Sequence, residues 1–167
     1  MTTRIHQHVP KSDINPRSPL AMLRAFHSDS DLRQEGASGA GPVRRTVKVL
    51  VVDDESSILR VVKRTLERAS TMLGVDFQIT IIGDPTTVMA LLSNQPADLL
   101  ITDTLMPGLM GYELAKQARA AHPELKIIAM TATHARSDYE SGTLDAFIEK
   151  PFTPEVFINT VKTTLGI

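Results

Sequence analysis

Four short apolar runs in this sequence lead into groups that can do chemistry. VKVLVV (47–52) runs into Asp53 and Asp54, and ADLLIT (97–102) runs into Asp103. KIIAMT (126–131) ends on Thr131, and DAFIEK (145–150) ends on Lys150, followed by Pro151. If these run ends share one rim, that rim holds three carboxylates, a hydroxyl and an ammonium. Carboxylates packed at about 4 Å repel by about 4 kcal/mol per pair at an effective dielectric of about 20. A hard divalent cation with oxygen ligands relieves that repulsion, and Mg2+ is the usual choice because it keeps open positions for phosphate oxygens. A competing reading takes Asp53 and Asp54 as acids of a strand-to-helix turn, placed to favour the helix N-terminus.

The elements that must position these groups are legible in the hydrophobic pattern. With FQITII (77–82) added, five β-rich runs alternate with amphipathic segments. Near-continuous apolar strands predict burial on both faces, as in a parallel sheet. Between them, residues 55–73 repeat Ile58, Val61, Val62, Leu66, Ala69, Met72 and Leu73 at helical spacing. Arg60, Lys63, Arg64, Glu67 and Arg68 fall on the opposite, solvated face. Helices are also predicted over 85–94 (Val88, Leu91, Leu92) and 111–122 (Leu114, Ala115, Ala118, Ala121). A last one spans 153–165, where Thr153 caps, Pro154 opens the first turn and Phe157, Val161 and Leu165 follow four apart. Alternating strands and helices give an α/β, doubly wound sheet of five β/α units, because right-handed crossovers place helices on both faces. Ligands of such sheets sit outside the carboxyl ends of the strands, which is where all five polar groups fall.

Residues 1–45 read differently. They hold seven Lys/Arg against four Asp/Glu, four prolines and a GASGAGP linker, so they are expected to be a disordered or weakly structured N-terminal extension. SPLAMLRAF (18–26) has a helix-start pattern, as a partner-docking helix or an incidental apolar cluster; His6 and His8 have nothing nearby to complete a metal site. The folded part, 46–167, carries eleven basic and fifteen acidic residues. A net charge of −1 gives no argument for direct nucleic-acid binding. The absence of cysteine rules out disulfides and thiolate metal sites, and no apolar run reaches the ~18 residues of a membrane span. A cytoplasmic chain is expected.

VVDDES, ITDTLMPGLMGYEL, MTA and DAFIEKPF, in this order and spacing, resemble the receiver domain of two-component response regulators across 46–167. The resemblance implies a flavodoxin-like, five-stranded parallel (βα)5 sheet with strand order 2-1-3-4-5. It implies that Asp103 is the phosphoacceptor, that Asp54, Asp103 and the main-chain carbonyl of Leu105 bind Mg2+ directly, and that Asp53 does so through water. Lys150 would pair with a phosphoryl oxygen. Thr131 and Phe147 would form the switch that senses it, and the Lys150–Pro151 bond would be cis. Taken singly, Phe147 also reads as packing and Thr131 as a strand former. The donor would be a histidine kinase or histidine phosphotransfer domain, and the protein a phosphoacceptor that assists its own phosphorylation and dephosphorylation rather than an enzyme. The chain ends soon after its last helix pattern, so output is expected through contact with a downstream protein, from a monomer or weak dimer.

Three features depart from the family pattern. Met110 stands where an acidic or amide residue commonly precedes the glycine. Leu105, two residues past Asp103, borders the path of an attacking water and is expected to slow acyl-phosphate hydrolysis; faster dephosphorylation of Leu105→Asn would bear this out. The interval from Thr131 to Lys150 is short and poor in apolar residues, which predicts a short fourth helix and an exposed His134. Two alternatives remain at this point. One is a phosphorylation-independent interaction module on the same fold. The other is a phosphatase of the haloacid dehalogenase class, which needs an acid where Leu105 stands. A flavin site is a poor fit, because DDES is an unsuitable phosphate cradle.

Overall fold

In a computed structural model, residues 44–132 and 142–167 are described. The expectations that fall on 1–43 and 133–141 lie outside the described residues: the disordered or weakly structured N-terminal extension (all but its last two residues), the 18–26 helix, the His6/His8 pair, the short fourth helix and His134. Five parallel strands form one sheet: β1 Thr46–Val52, β2 Asp76–Ile82, β3 Leu99–Asp103, β4 Lys126–Thr131 and β5 Ala146–Glu149. Their order is β2-β1-β3-β4-β5, the flavodoxin-like arrangement. The described helices are α1 Ser56–Leu73, α2 Val88–Asn94, α3 Gly111–Ala121 and α4 Pro154–Leu165.

Strand alternation divides the core in two. Val47, Val49 and Val51 of β1 pack with Leu99, Ile101, Ile128, Met130 and Ile148 against Leu66 of α1 and Phe157 and Val161 of α4. Leu50 and Val52, one residue out of phase, pack with Leu100 and Ile127 against Val88 and Leu92 of α2 and Leu114, Ala115 and Ala118 of α3. The sheet is thus covered on both faces. Every residue of β3 is buried, as its near-continuous apolar run predicts. Burial of each large side chain stabilises the fold by roughly 1.5–3 kcal/mol.

The edge strand β2 departs from that expectation. Gln78 and Thr80 are exposed and Ile81 is 38% exposed, because among the described residues β2 pairs only with β1 and α2 is short. Helix α2 is shorter than the predicted 85–94 because Pro85–Thr87 form a 3₁₀ turn, capped by Asp84, whose carboxylate accepts the Thr86 N–H at 3.0 Å. In α1 the packed stripe is Leu59, Val62, Thr65, Leu66 and Ala69. Val61 and Met72, expected on that face, are 51% and 69% exposed. Val61 lies about 100° around the axis from Val62, beyond the stripe's edge. Ala121, expected on the apolar face of α3, is exposed at the helix end. Thr153 caps α4 by accepting the Val156 N–H.

Candidate functional site

All five strand-end groups stand on one rim. Strand β1 ends at Val52, so Asp53 is the first residue beyond it; its N–H still donates to the Ile82 carbonyl of β2 at 3.2 Å. Asp53 is fully buried and Asp54 is exposed. Asp53 Oδ1 accepts the N–H of Glu55 at 2.9 Å, turning the chain into α1. Asp53 Oδ2 accepts from Lys150 Nζ at 2.8 Å. Asp103 closes β3 and is 7% exposed. Its Oδ1 accepts the Thr104 N–H at 2.8 Å and faces Lys150 Nζ at 3.3 Å. One carboxylate oxygen each from Asp53, Asp54 and Asp103 lies within 4.8 Å of the others.

Thr131, 2% exposed, ends β4, and its carbonyl accepts the Lys150 N–H at 2.7 Å. That bond extends the β4–β5 ladder by one residue and brings Lys150 to the rim. The Lys150–Pro151 peptide is cis. Phe147, in the middle of β5, is half-buried. Leu105 turns its side chain outward, 53% exposed, and Met110 is 47% exposed at the start of α3.

The electrostatics follow from this placement. Burial pushes the Asp103 carboxyl above its ordinary value; Lys150 opposes that shift and Asp53 adds to it. For Lys150, burial works to lower the pKa. The hydrogen bond that Lys150 donates to Asp53 and the charges of Asp103 and Asp53 together outweigh it and hold the ammonium above the usual lysine value. Three carboxylates thus face one salt-bridged ammonium, two charges short of balance. The all-oxygen donor set and the charge deficit both fit a hard divalent cation.

Two residues that the strand-end reasoning missed hold the site from behind. Gly111 opens α3 against the main chain of Asp103: a Cβ there would stand 1.8 Å from the Asp103 carbonyl oxygen and 2.9 Å from Thr104 Cα. Its N–H donates to the Thr104 carbonyl at 3.1 Å. The sequence signal was a glycine at a helix start where no tight turn needs one. Thr104 is 6% exposed and pinned through its main chain on both sides.

The comparisons with known proteins agree with this geometry. Residues 49–162 match the family described as the response regulator receiver domain. The chain is 33% identical over 125 residues to a chemotaxis protein CheY homolog of Campylobacter jejuni, covering 72% of this chain and 93% of that one. It is 38% identical over 108 residues to the DNA-binding transcriptional regulator NtrC of Salmonella typhimurium, covering 62% of this chain but 22% of that protein. The chain therefore spans about a fifth of the length of its NtrC relatives. Among solved structures it is similar to response regulator TrrA of Thermotoga maritima in complex with Mg2+-BeF, with a TM-score of 0.64 and 31% identity over 71% of this chain and 99% of that one. It is also similar to the chemotaxis response regulator CheY4 of Vibrio cholerae, with a TM-score of 0.63 and 26% identity over 72% and 99% of the two chains. With two-thirds of its length matched and the five rim groups converging, the chain belongs to the response regulator receiver domain family.

Proposed function

We propose that this chain is a cytoplasmic, Mg2+-dependent phosphoacceptor switch, with Asp103 as the residue phosphorylated. The observation that carries the reading is the cluster itself: three carboxylate oxygens within 4.8 Å and Lys150 bridging two of the acids. Asp54 and Asp103, with the Leu105 carbonyl, would hold the ion directly and Asp53 through water. When bound, the ion would supply charge neutralisation on the transferring phosphoryl group and alignment for in-line attack.

The chain's own residues do the rest. A carboxylate oxygen of Asp103 attacks the phosphorus of a phosphohistidine on a kinase or phosphotransfer domain; the P–N bond breaks and the imidazole leaves. The Thr104 amide fixes the Asp103 carboxylate through Oδ1. Lys150 moves from the Asp103 carboxylate to a phosphoryl oxygen while keeping its bond to Asp53, so no charge is left unpaired. Thr131 and Phe147 then report the new group. The Thr131 hydroxyl bonds a phosphoryl oxygen, and the half-buried Phe147 ring turns into the space behind it, altering the face near β5 that a downstream protein contacts. Inverting a 1:99 population this way takes about 5.5 kcal/mol of differential stabilisation, and less still signals. The same groups assist hydrolysis of the acyl phosphate.

The test is intact-mass measurement after incubation with a small phosphodonor such as acetyl phosphate. One added phosphate is expected with Mg2+, none with a chelator and none in Asp103→Ala. Equal phosphorylation of Asp103→Ala, or none in the native chain, overturns the reading in favour of a phosphorylation-independent interaction module.

A further inference from the structure

One polar atom beside Asp103 is not used by the mechanism above. Thr104 is 6% exposed, and its hydroxyl oxygen is buried with no hydrogen-bond partner among the described residues. Every other polar group of the residue is engaged. Its N–H is shared between Asp103 Oδ1 at 2.8 Å and the Met130 carbonyl at 3.0 Å, and its carbonyl accepts the Gly111 N–H at 3.1 Å. Buried hydroxyls are seldom left unpaired, because an unmet hydrogen bond is costly. The β-branched side chain is therefore clamped while its one functional atom is idle.

The position says what could engage it. Side chains alternate along a strand. Leu100 of β3 belongs to the α2–α3 side of the core, whereas Leu99 and Ile101 face α1 and α4. Thr104 follows directly on β3 and its N–H still pairs with the Met130 carbonyl of β4, so continued alternation would set its side chain on the Leu100 side, opposite the Asp103 carboxylate. The chain that passes on this side is the β3–α3 connection, 104–110, which carries the exposed Leu105 and ends at Gly111 packed on the Asp103 carbonyl. Gly111 leaves no slack at the far end of that connection. Holding the Leu105 carbonyl on a cation would draw on main chain one residue from the Thr104 hydroxyl.

We propose that Thr104 is a positioning residue: its hydroxyl, idle in the unloaded site, bonds the main chain of the 104–110 connection when Asp103 is loaded, and so favours the loaded arrangement. The inference rests on the phosphoacceptor reading of the site. It makes the site's resting state a little worse so that loading gains a hydrogen bond, and it would act through the connection rather than by touching the phosphoryl group.

The test compares thermal midpoints and Mg2+ affinity of the native protein, Thr104→Val, Thr104→Ala and Thr104→Ser. Each is measured alone, with magnesium chloride, and with magnesium chloride plus beryllium fluoride as the phosphoryl-shaped probe. Thr104→Val is expected to raise the midpoint of the unloaded protein, lose at least half of the probe-induced rise, and bind Mg2+ about tenfold more weakly, the worth of one buried hydrogen bond. Thr104→Ala, without the branched methyl group, is expected to lose the same share of the rise, and Thr104→Ser to keep it. A native-sized rise in both Thr104→Val and Thr104→Ala, or a fall in the unloaded midpoint of Thr104→Val, overturns the proposal. If the native protein shows no rise with the probe, the phosphoacceptor reading falls first and this inference with it.

Discussion

Asp103→Asn is expected to make the metal-free protein more stable, and the size of the gain follows from the rim geometry. The substitution keeps the shape and the oxygen that accepts the Thr104 N–H, and removes one charge. At an effective dielectric of about 20, repulsion from buried Asp53 at up to 4.8 Å is worth about 3.5 kcal/mol, and attraction from Lys150 at 3.3 Å about 5 kcal/mol. Solvent screens the exposed Asp54. The Coulomb contributions leave about 1.5 kcal/mol of attraction, set against the several kcal/mol cost of burying a carboxylate. Burial accordingly leads the upward shift of the Asp103 pKa. The net penalty is on the order of 1–2 kcal/mol, a rise of about 0.5–1 M in the urea midpoint. The sign with pH is fixed by that shift. A carboxyl raised in the folded state stabilises it fully below the unfolded value near 3.8 and loses that stabilisation as pH rises through the folded value. The advantage of Asp103→Asn should therefore be full at neutral pH and shrink as pH falls toward 3.8. Magnesium should erase it too, because saturation at about 100 times the dissociation constant adds about 2.7 kcal/mol to the native protein and less to the variant. Far-UV circular dichroism is the suitable probe, since the chain has no tryptophan. A variant less stable at neutral pH without metal, or an advantage untouched by magnesium, refutes the electrostatic account of the rim.

Two further outcomes follow from contacts away from the carboxylates. Gly111→Ala should lower stability by about 3 kcal/mol or more, because its Cβ would overlap the Asp103 carbonyl oxygen. Gly83→Ala, which meets nothing within 4 Å, should stay within about 0.5 kcal/mol; matching urea midpoints for the two variants would contradict the close packing of α3 on the site. Asp145 accepts from Arg119 at 2.5 Å, Lys126 at 3.1 Å and the Ile127 N–H at 2.9 Å, joining α3 and β4 to the start of β5. Burial works to raise its pKa, but these bonds and the Arg119 charge outweigh it, so the carboxyl titrates below its ordinary value. Asp145→Asn should cost about 1–2 kcal/mol at pH 7. The difference should close as pH drops below 3.8 and the native carboxyl is protonated; a pH-independent difference in denaturation midpoint would argue against the ion pairs as its source.

The parts of the fold that could be read from the sequence are those where burial leaves one solution. The run Leu99–Ile101 of β3 is apolar because helices cover both faces of the strand, and its polar end falls at the rim. The burial of β1 on both faces was read in the same way, and alternation sets Leu50 and Val52 in one layer and Val49 and Val51 in the other. What stayed hidden depends on individual contacts that a hydrophobic pattern does not record. Thr65 lies in the packed stripe of α1 because its hydroxyl donates to the Val61 carbonyl at 2.9 Å, so a polar residue passes where a hydrophobic pattern skips it. The contact between Gly111 and the Asp103 carbonyl is steric, and the sequence marks it only by a glycine at a helix start, without saying what that glycine packs against. The strand ends placed Lys150 near the acids, but that it bonds Asp53 more closely than Asp103 depends on side-chain reach across the sheet.

The bridge from Lys150 to Asp53 spans 97 residues of chain. On the ribosome, at about 5–20 residues per second, roughly 5–20 s pass between making the first acid and making the ammonium that answers it. Until β5 docks, the nascent sheet carries its acids at one end without that lysine, so its rim is anionic and ill-suited to close. On the proposed reading, phosphorylation competence would arrive late, and a chain cut short before Lys150 would carry Asp103 without the ammonium that offsets its charge.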